Sequence, residues 1–472
     1  MALFQDQPGD EGLPGRQRLL ATMAIMMASA MAVIDGAIVN IALPQIARSL
    51  GVLPGSAVWV SSSYLLAAAM LLAVYASLAK RVGFRAVFVA GAGLFTLSSL
   101  GCALSTTLPM LIFMRVLQGI GGAATMSIAP AIMGAIFPSR LIGRAIGLFA
   151  VFIALSTAIA PIIGGLLLAV LGWPWLFVIN LPLGAAAVGL GYRVVPSQPS
   201  AQRDPFDVLG AVLSAVALGA LVMTADALAH PQQGEPTTDV MMSAAACAVT
   251  ALLAGIAFVI RERRTTKPLI PLDIFESSRF SLAALTSMTS FISQGMLFIA
   301  LPFLFQNVYG YSALRSALMF VLWPVGIMLA APRASRLADR YASAKISTAG
   351  LCCFAIGAGL LALLPDQASP WDIGARSLIC GIGFGCFQSP NNRELMTSIP
   401  AEHIHHASGV LAIMRVAGQC LGVAAIGCIL SALAGSSSSV AQEMRGIHLG
   451  LWGAFAVSVL ALTASASRWR NV

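Results

Sequence analysis

The sequence predicts an all-α integral membrane protein with fourteen transmembrane helices, arranged as two six-helix bundles plus two inserted helices. Of its 472 residues, 58% are hydrophobic and only 10% are charged, which leaves too few polar side chains to cover a soluble globule. Apolar stretches recur with the length of about 20 residues that a helix needs to cross a hydrocarbon core of about 30 Å. Landmarks in the first half of the chain also return in the second.

The apolar stretches define the predicted helices in chain order. No small-residue cleavage site follows the first stretch, so we expect it to be a retained helix and not a removed leader. The predicted spans are 19–43, 54–78, 84–104, 108–136, 143–169, 173–195, 206–229, 240–260, 280–305, 312–332, 346–364, 371–392, 405–434 and 447–467.

Positive charge is distributed unevenly over the segments that join these helices. If the N-terminus is inside the cell, 21 of the 27 Lys and Arg residues fall in cytoplasmic segments. Cytoplasmic loops are enriched in Lys and Arg, so this asymmetry predicts cytoplasmic termini and a multi-pass protein of the cell inner (plasma) membrane. The net charge of +9 then reflects topology and contact with membrane lipid, and nucleic acid is not expected as a partner.

Two landmarks recur at an offset of about 260 residues. The stretch 78–81 after the second helix is matched by 337–340 after the tenth, and Arg115 with its following glycines is matched by Arg376. Because the two landmarks occur in the same order in both parts of the chain, they indicate two six-helix halves with two helices inserted between them. The predicted divisions are a cytoplasmic tail (1–18), an N-terminal bundle (19–195), inserted helices seven and eight (206–260), a cytoplasmic loop (261–279), a C-terminal bundle (280–467) and a C-terminal tail (468–472).

Five motifs in their expected order give the chain a resemblance to a known family, the fourteen-helix drug:proton antiporters of the major facilitator superfamily. "IDGAIVNIALPQIA" resembles that family's first-helix signature, with Asp35 and Asn40 in register, although Gly36 and Ala37 replace the usual Thr. "RVLQGIGGA" resembles the fourth-helix motif, with Arg115 in place. The remaining motifs are "APIIGG", similar to the antiporter motif of helix five with Pro161, Gly164 and Gly165, "WPWLFVINLPLG" and "GFGCFQSPNNRELM".

The cytoplasmic loop after helix two departs from this pattern. The family normally has a Gly and an Asp where this chain has Ala76 and Lys80. The resemblance implies that a carboxylate there helps to latch the cytoplasmic gate, so Lys80 predicts an altered gating balance, while Asp339 keeps the acid in the second copy. The predicted gate residues are Lys80, Arg81, Gly83, Arg85, Asp339 and Arg340.

Asp35 and Arg115 are the candidate proton-coupling residues. An ionised carboxylate in lipid costs several kcal/mol, so an acid at this depth is expected to face a bundle interior or a wet cavity. Asp35 lies about 16 residues into a helix that runs outward, and Arg115 lies about seven residues into one that runs inward, which gives them similar depth. We predict that Asp35 carries the proton and that Arg115 tunes it. The alternative is a static ion pair that only fixes helix packing.

A substrate cavity is expected from apolar side chains with a few polar contacts. Packing in the core or against lipid is the alternative for each candidate, and Arg415 can instead extend to the cytoplasmic interface. The Pro161 region can serve as a hinge of helix five or as a site of tight packing. The predicted cavity residues are Asn40, Gln118, Met296, Gln306, Trp323, Phe387, Gln388 and Arg415.

Other chemistries find little support in the sequence. His403, His405 and His406 lie together in a loop without a thiolate or a helically spaced second histidine, so no metal site is predicted. No phosphate-binding loop and no nucleophile with a base in one membrane plane are present, so neither a cofactor nor an enzyme is expected.

The sequence therefore predicts a monomeric, proton-coupled antiporter that exports lipophilic monovalent cations or neutral amphiphilic drugs and biocides by alternating access. Monovalent substrates are favoured over dications because only Asp35 is both acidic and deep in the membrane. Its expected partners are a small-molecule substrate, protons and lipid. Export of one endogenous metabolite by the same mechanism, and a non-transporting sensor or scaffold, are the alternatives.

Overall fold

The structure is a computed structural model that describes residues 2–4, 10–197, 207–229, 237–265, 272–365, 368–399, 404–433 and 440–471. Within these ranges the chain is all-helical and contains no β-strand. Twelve of the helices found there are long and apolar enough to cross a membrane. The protein is therefore a multi-span membrane protein, and the count of fourteen spans stays a prediction.

The N-terminal half consists of helices joined by short turns. Three of these turns use glycine with a positive φ, Gly51 at 64°, Gly83 at 96° and Gly172 at 88°, a conformation that L side chains rarely adopt. The helices are α1 (Gly15–Leu50), α2 (Pro54–Ala57), α3 (Trp59–Val82), α4 (Phe84–Ala103), α5 (Leu108–Ile136), α6 (Ile142–Val170), α7 (Trp175–Val178) and α8 (Asn180–Val194).

The C-terminal half follows an inserted pair of helices, α9 (Val208–Ala229) and α10 (Thr237–Arg264). Helix α9 packs on α3 and α15, whereas α10 packs mainly on α9 and leaves most of its apolar surface exposed. The helices of the half itself are α11 (Ser278–Phe303), which continues as a π-helical turn (Leu304–Val308), α12 (Ala313–Leu337), α13 (Ser343–Ala362), α14 (Pro370–Thr397), α15 (Ile404–Leu433) and α16 (Val440–Ser467).

Polar contacts between helix termini identify one end of the bundle, which we call the basic end. Arg140, before α6, pairs with Asp10 in the N-terminal segment at 2.6 Å. Arg85 Nε, at the start of α4, donates to the carbonyl oxygen of Val195, after α8, at 2.6 Å. Because successive long helices alternate in direction, the start of α1 and the end of α16 both belong to this end.

At the opposite end of the bundle the two halves are in close contact. Gln306 Nε2, beyond α11, donates to the carbonyl oxygen of Ile41 in α1 at 2.7 Å. Gly165 of α6 lies so close to α12 that an added Cβ atom would come within 2.6 Å of the Ala317 Cβ atom. A Cβ atom at Gly55 would come within 1.9 Å of the Ser431 hydroxyl oxygen of α15. The conformation therefore has its opposite end closed.

The interiors of the two halves are built differently. In the C-terminal half a ladder of edge-to-face aromatic rings joins four helices, with centroid distances of 5.3–5.9 Å from Phe291 through Phe384, Phe354 and Trp323 to Phe298. In the N-terminal half glycines let backbones approach: Cβ atoms added at Gly119 and Gly121 would come within 2.5 and 2.6 Å of carbonyl oxygens of α3 and α4. This close approach brings polar groups of α5 next to α3 and α4.

Candidate functional site

Asp35 lies in the middle of α1 and is enclosed by the N-terminal half, with 2% of its surface exposed. Its carboxylate accepts hydrogen bonds from the Arg115 guanidinium and from the side-chain amides of Gln118, at 2.9 Å, and Asn180, at 3.1 Å. Three donors, one of them a cation, therefore surround the acid, which compensates for its removal from water.

Arg115 connects Asp35 of α1 to α3 and to Gln118 on its own helix, α5. Its Nε donates to the carbonyl oxygen of Val60 in α3 at 2.9 Å, and its Nη1 donates to Gln118 Oε1 at 2.6 Å. The guanidinium carbon lies 4.3 Å from the centre of the Tyr64 ring, within the range of a cation–π contact. The positive charge is thus fixed by a carboxylate, a carbonyl and an aromatic face.

Gln118 and Asn180 tie this network to α4. Gln118 Nε2 donates to the Ser99 hydroxyl at 2.8 Å, and Asn180 Nδ2 approaches the same hydroxyl at 3.4 Å. The network therefore joins α1, α3, α4, α5 and α8, and a change in the charge of Asp35 acts on all five helices. We name Asp35, Arg115, Gln118, Asn180 and Ser99 the acid network.

The sequence analysis did not assign Ser99 and Asn180 to this site. Asn180 stands in the quoted motif "WPWLFVINLPLG", so an amide in an apolar helix was visible as a polar group that needs a partner. Ser99 carried no comparable signal, because serines are common in membrane helices and this one also donates to the Phe95 carbonyl.

The predicted cavity residues separate into four environments. Gln118 belongs to the acid network, and Gln306 closes the opposite end of the bundle. Met296, Trp323 and Phe387 are buried in the core of the C-terminal half. The remaining three predicted residues are partly exposed: Asn40, which accepts a hydrogen bond from Ser61 at 2.8 Å, Gln388 and Arg415.

The predicted hinge of α6 remains helical throughout. Pro161 lies within the continuous helix Ile142–Val170. An added Cβ atom at Gly164 would meet the flexible Ile38 side chain of α1 at 3.0 Å, whereas Gly165 faces α12 of the other half. These glycines therefore permit close packing within and between the halves, and the hinge role stays a prediction.

The predicted gate residues lie at the basic end. Asp339 pairs with Arg393 of α14, within its own half, and both side chains are exposed. Arg81 and Arg340 are exposed, and Gly83 provides the turn between α3 and α4. Lys80 lies in α3, and its side chain is outside the described part of the structure. His403, which belongs to the histidine-containing loop where no metal site is predicted, is also outside the described part.

A second buried network at the basic end was not predicted, because the sequence analysis placed Arg468 in a cytoplasmic tail. Arg468 is buried after α16, and its Nη1 donates to Glu394 at 3.0 Å and to Asn391 Oδ1 at 2.8 Å. Its Nη2 donates to hydroxyls of Ser347, at 3.3 Å, and Ser465, at 2.5 Å. Burial lowers the pKa of the Arg468 guanidinium, an effect that the Glu394 carboxylate opposes. The network fixes the end of the chain to α13 and α14.

Comparison with known proteins agrees with this architecture. The sequence profile of the Major Facilitator Superfamily matches residues 25–423. YebQ of Escherichia coli (strain K12), an uncharacterized transporter, is 38% identical over 461 residues, 97% of each chain. The multidrug resistance protein Stp of Mycobacterium tuberculosis (strain CDC 1551 / Oshkosh) is 33% identical over 88% of this chain and 76% of its own.

A solved structure shares the fold at low sequence identity. A bacterial homologue of the human lysosomal transporter Spinster, in an inward-facing and unoccupied conformation, superposes with a TM-score of 0.67 at 14% identity over 99% of both chains. With the sequence matches, this likeness settles the class: the chain belongs to the Major Facilitator Superfamily. It is a transporter of small molecules and not an enzyme.

Proposed function

We propose that this transporter is a proton-coupled antiporter of the fourteen-helix drug:proton group, monomeric in the cell inner membrane, with both termini in the cytoplasm. It exports amphiphilic small molecules, and the sequence predicts that these substrates are lipophilic monovalent cations or neutral drugs and biocides. Similarity to Stp and to other proteins named for multidrug resistance supports export of such compounds.

The observation that carries the proposal is the acid network. Asp35 is the only acid that lies deep in the described helices of the N-terminal half, and five helices meet around it. A proton on Asp35 removes the charge that holds Arg115, so proton binding and helix arrangement are coupled. Transport then follows when the bundle alternates between the closed opposite end seen here and a state open at that end.

Proton exchange by the purified protein tests this proposal. The protein is reconstituted into liposomes that contain a pH-sensitive dye, and either tetraphenylphosphonium or a neutral amphiphile, N-phenyl-1-naphthylamine, is added outside. Antiport predicts that protons leave the lumen as the compound enters. Asp35→Asn should abolish this exchange, because an amide cannot carry the proton.

Asp372→Asn is the matched control. Asp372 is also paired with an arginine, Arg376, but on its own helix and 39% exposed, so its loss should leave proton exchange intact. Undiminished proton exchange in Asp35→Asn would refute the assignment of the coupling residue. An absence of compound-dependent proton movement in the wild type would favour a sensor or scaffold, and activity with one metabolite alone would favour a dedicated exporter.

A further inference from the structure

Arg415 is a cation in the middle of a membrane helix that has no hydrogen bond or ion pair to any residue the structure describes. The fully buried arginines among the described residues all have partners: Arg115 pairs with Asp35, Arg468 pairs with Glu394, and Arg18 donates to backbone carbonyl oxygens. No acid occurs in the sequences of α11, α12, α13 or α15, so these helices hold no internal counterion for Arg415.

The helix geometry of α15 shows which way Arg415 points. Gly418 and Gly422 pack on α11, and Cys420 approaches the Ser62 carbonyl of α3. Arg415 and Gln419 lie on the side of the helix between these two contacts, since residues four apart share a face. Towards the opposite end this same side continues with Val423, Ile426 and Leu430, which are buried in the central core. Arg415 therefore faces the centre of the bundle and not the lipid.

The exposure pattern along α15 shows from where Arg415 is reached. Val423, Ile426 and Leu430 are buried where the halves close, whereas Arg415, two turns nearer the basic end, is partly exposed. Access from the opposite end is blocked by that closed core, so the exposed part of Arg415 opens towards the basic end. A solute entering from there meets a positive charge between the two halves.

Neighbouring groups add hydrogen-bonding capacity. Gln419 lies one turn from Arg415, and its Nε2 donates to Gln294 Oε1 of α11 at 3.2 Å, so an amide pair lies on the same side of the helix. A planar guanidinium with five N–H donors recognises carboxylates in a bidentate manner, and an unpaired cation in a low-dielectric site favours binding of an anion.

We propose that Arg415 and Gln419 form a subsite for a carboxylate group on the exported amphiphile. The inference rests on the proposed export function and gives it a substrate class: apolar compounds with one anionic group. The sequence favoured cations because Asp35 is the single deep acid, but that acid is already paired within the N-terminal half and presents no free negative charge.

Equilibrium binding to the full-length protein in phosphatidylcholine nanodiscs tests the subsite without transport. Calorimetry compares 2-naphthoate with 2-naphthamide, which has the same ring and nearly the same shape but no charge. The wild type should bind the acid at least about tenfold more tightly, the usual worth of a hydrogen bond to a charged group. Arg415→Gln should remove this preference by weakening binding of the acid and not of the amide.

Two further variants keep the test interpretable. Arg415→Lys keeps the charge without the bidentate geometry and should retain part of the preference, which also shows that the position tolerates substitution. Arg336→Gln removes one exposed charge of α12 at the basic end and should bind as the wild type does. Equal binding of acid and amide by the wild type, or an unchanged preference in Arg415→Gln, would overturn the proposal.

The outcome is separable from that of the proton-exchange experiment. Asp35→Asn should keep the tenfold preference for 2-naphthoate while losing proton exchange. A charge preference that depends on Arg415 in a wild type without proton exchange would sustain the subsite and refute antiport. Tighter binding of tetraphenylphosphonium than of 2-naphthoate would refute the subsite and leave antiport standing.

Discussion

Arg115 and Arg376 begin matching stretches of α5 and α14, yet the two halves use them differently. Arg115 is buried and pairs with Asp35 on another helix. Arg376 pairs with Asp372 on its own helix at 2.8 Å and keeps 18% of its side chain exposed. Arginine at this position therefore forms a buried ion pair between helices in the N-terminal half and a partly exposed ion pair within one helix in the C-terminal half.

The difference follows from what fills each interior. Polar groups from five helices surround Asp35 in the N-terminal half, whereas aromatic rings occupy the corresponding core of the C-terminal half. A buried carboxylate needs several donors, and the phenylalanine rings that make up most of the aromatic core offer none. The two repeats therefore differ in what they bury at these matching positions: a charged hydrogen-bond network in the N-terminal half, and mainly aromatic side chains in the described part of the C-terminal half.

Among the variants that test this difference between the halves, replacement of Arg115 should lower the free energy of unfolding most. Arg115→Gln leaves Asp35 buried without its cation, which costs about 3–5 kcal/mol for a broken buried pair. Arg376→Gln breaks a partly exposed pair and should cost about 1 kcal/mol or less. The free energy of unfolding in mixed detergent micelles measures both, and proton exchange should be lost only in Arg115→Gln. Similar costs for the two variants would show that burial does not distinguish them.

The Arg468 network permits a second comparison, since it is buried but lies within one half at the basic end. Arg468→Gln leaves Glu394 without its cation and Asn391 without its donor, at a cost of about 2–3 kcal/mol. Proton exchange should persist in the protein that remains folded, because no member of this network contacts the acid network. A normal unfolding free energy would show that Arg468 is not needed to hold the chain end.

How far the sequence predicts this molecule depends on the range of the interactions involved. Apolar length predicts most helices to within a few residues, and the depth of Asp35 and Arg115 correctly brings them together. The partners of Gln118, which the sequence assigns to a substrate cavity, and of Arg468, which it assigns to a C-terminal tail, could not be predicted. These partners lie on helices distant in sequence, and periodicity within one helix does not encode them.

A smaller effect is expected at the contact between the halves. Gly165→Ala places a Cβ atom within 2.6 Å of the Ala317 Cβ atom and 2.9 Å of the Leu314 backbone, which α12 accommodates only by moving away. Overpacking of this kind costs about 1–3 kcal/mol in the closed state, so the population ratio of the open to the closed state should rise about 5- to 150-fold. Labelling of a cysteine introduced at Ser316, which is buried here, measures that population.

Gly164→Ala is the natural control for this effect. It adds the same methyl group one residue earlier, but against the Ile38 side chain of α1 in the same half, at 3.0 Å. That side chain can rotate, so labelling at the opposite end should change little. Equal labelling in the two variants would mean that helix packing inside the N-terminal half, and not the contact between the halves, controls the opening.

The smallest effect is expected at the basic end, where matching positions of the two halves carry opposite charges, positive on Lys80 and negative on Asp339. Lys80 stands in α3 where the second copy has Asp339, which pairs with Arg393 inside its own half. Lys80→Asp places a carboxylate near the C-terminal end of α3, against the helix dipole, at a cost of about 0.3–1 kcal/mol. If a carboxylate at this position stabilises closure of the basic end, proton exchange in liposomes should rise about two- to threefold. This rise corresponds to a change of under about 1 kcal/mol in the free-energy difference between the open and closed states.

Lys80→Ala distinguishes loss of the positive charge from gain of the negative one. An equal rise would mean that loss of the positive charge suffices, whereas a rise confined to Lys80→Asp requires a partner for the new acid in the N-terminal half.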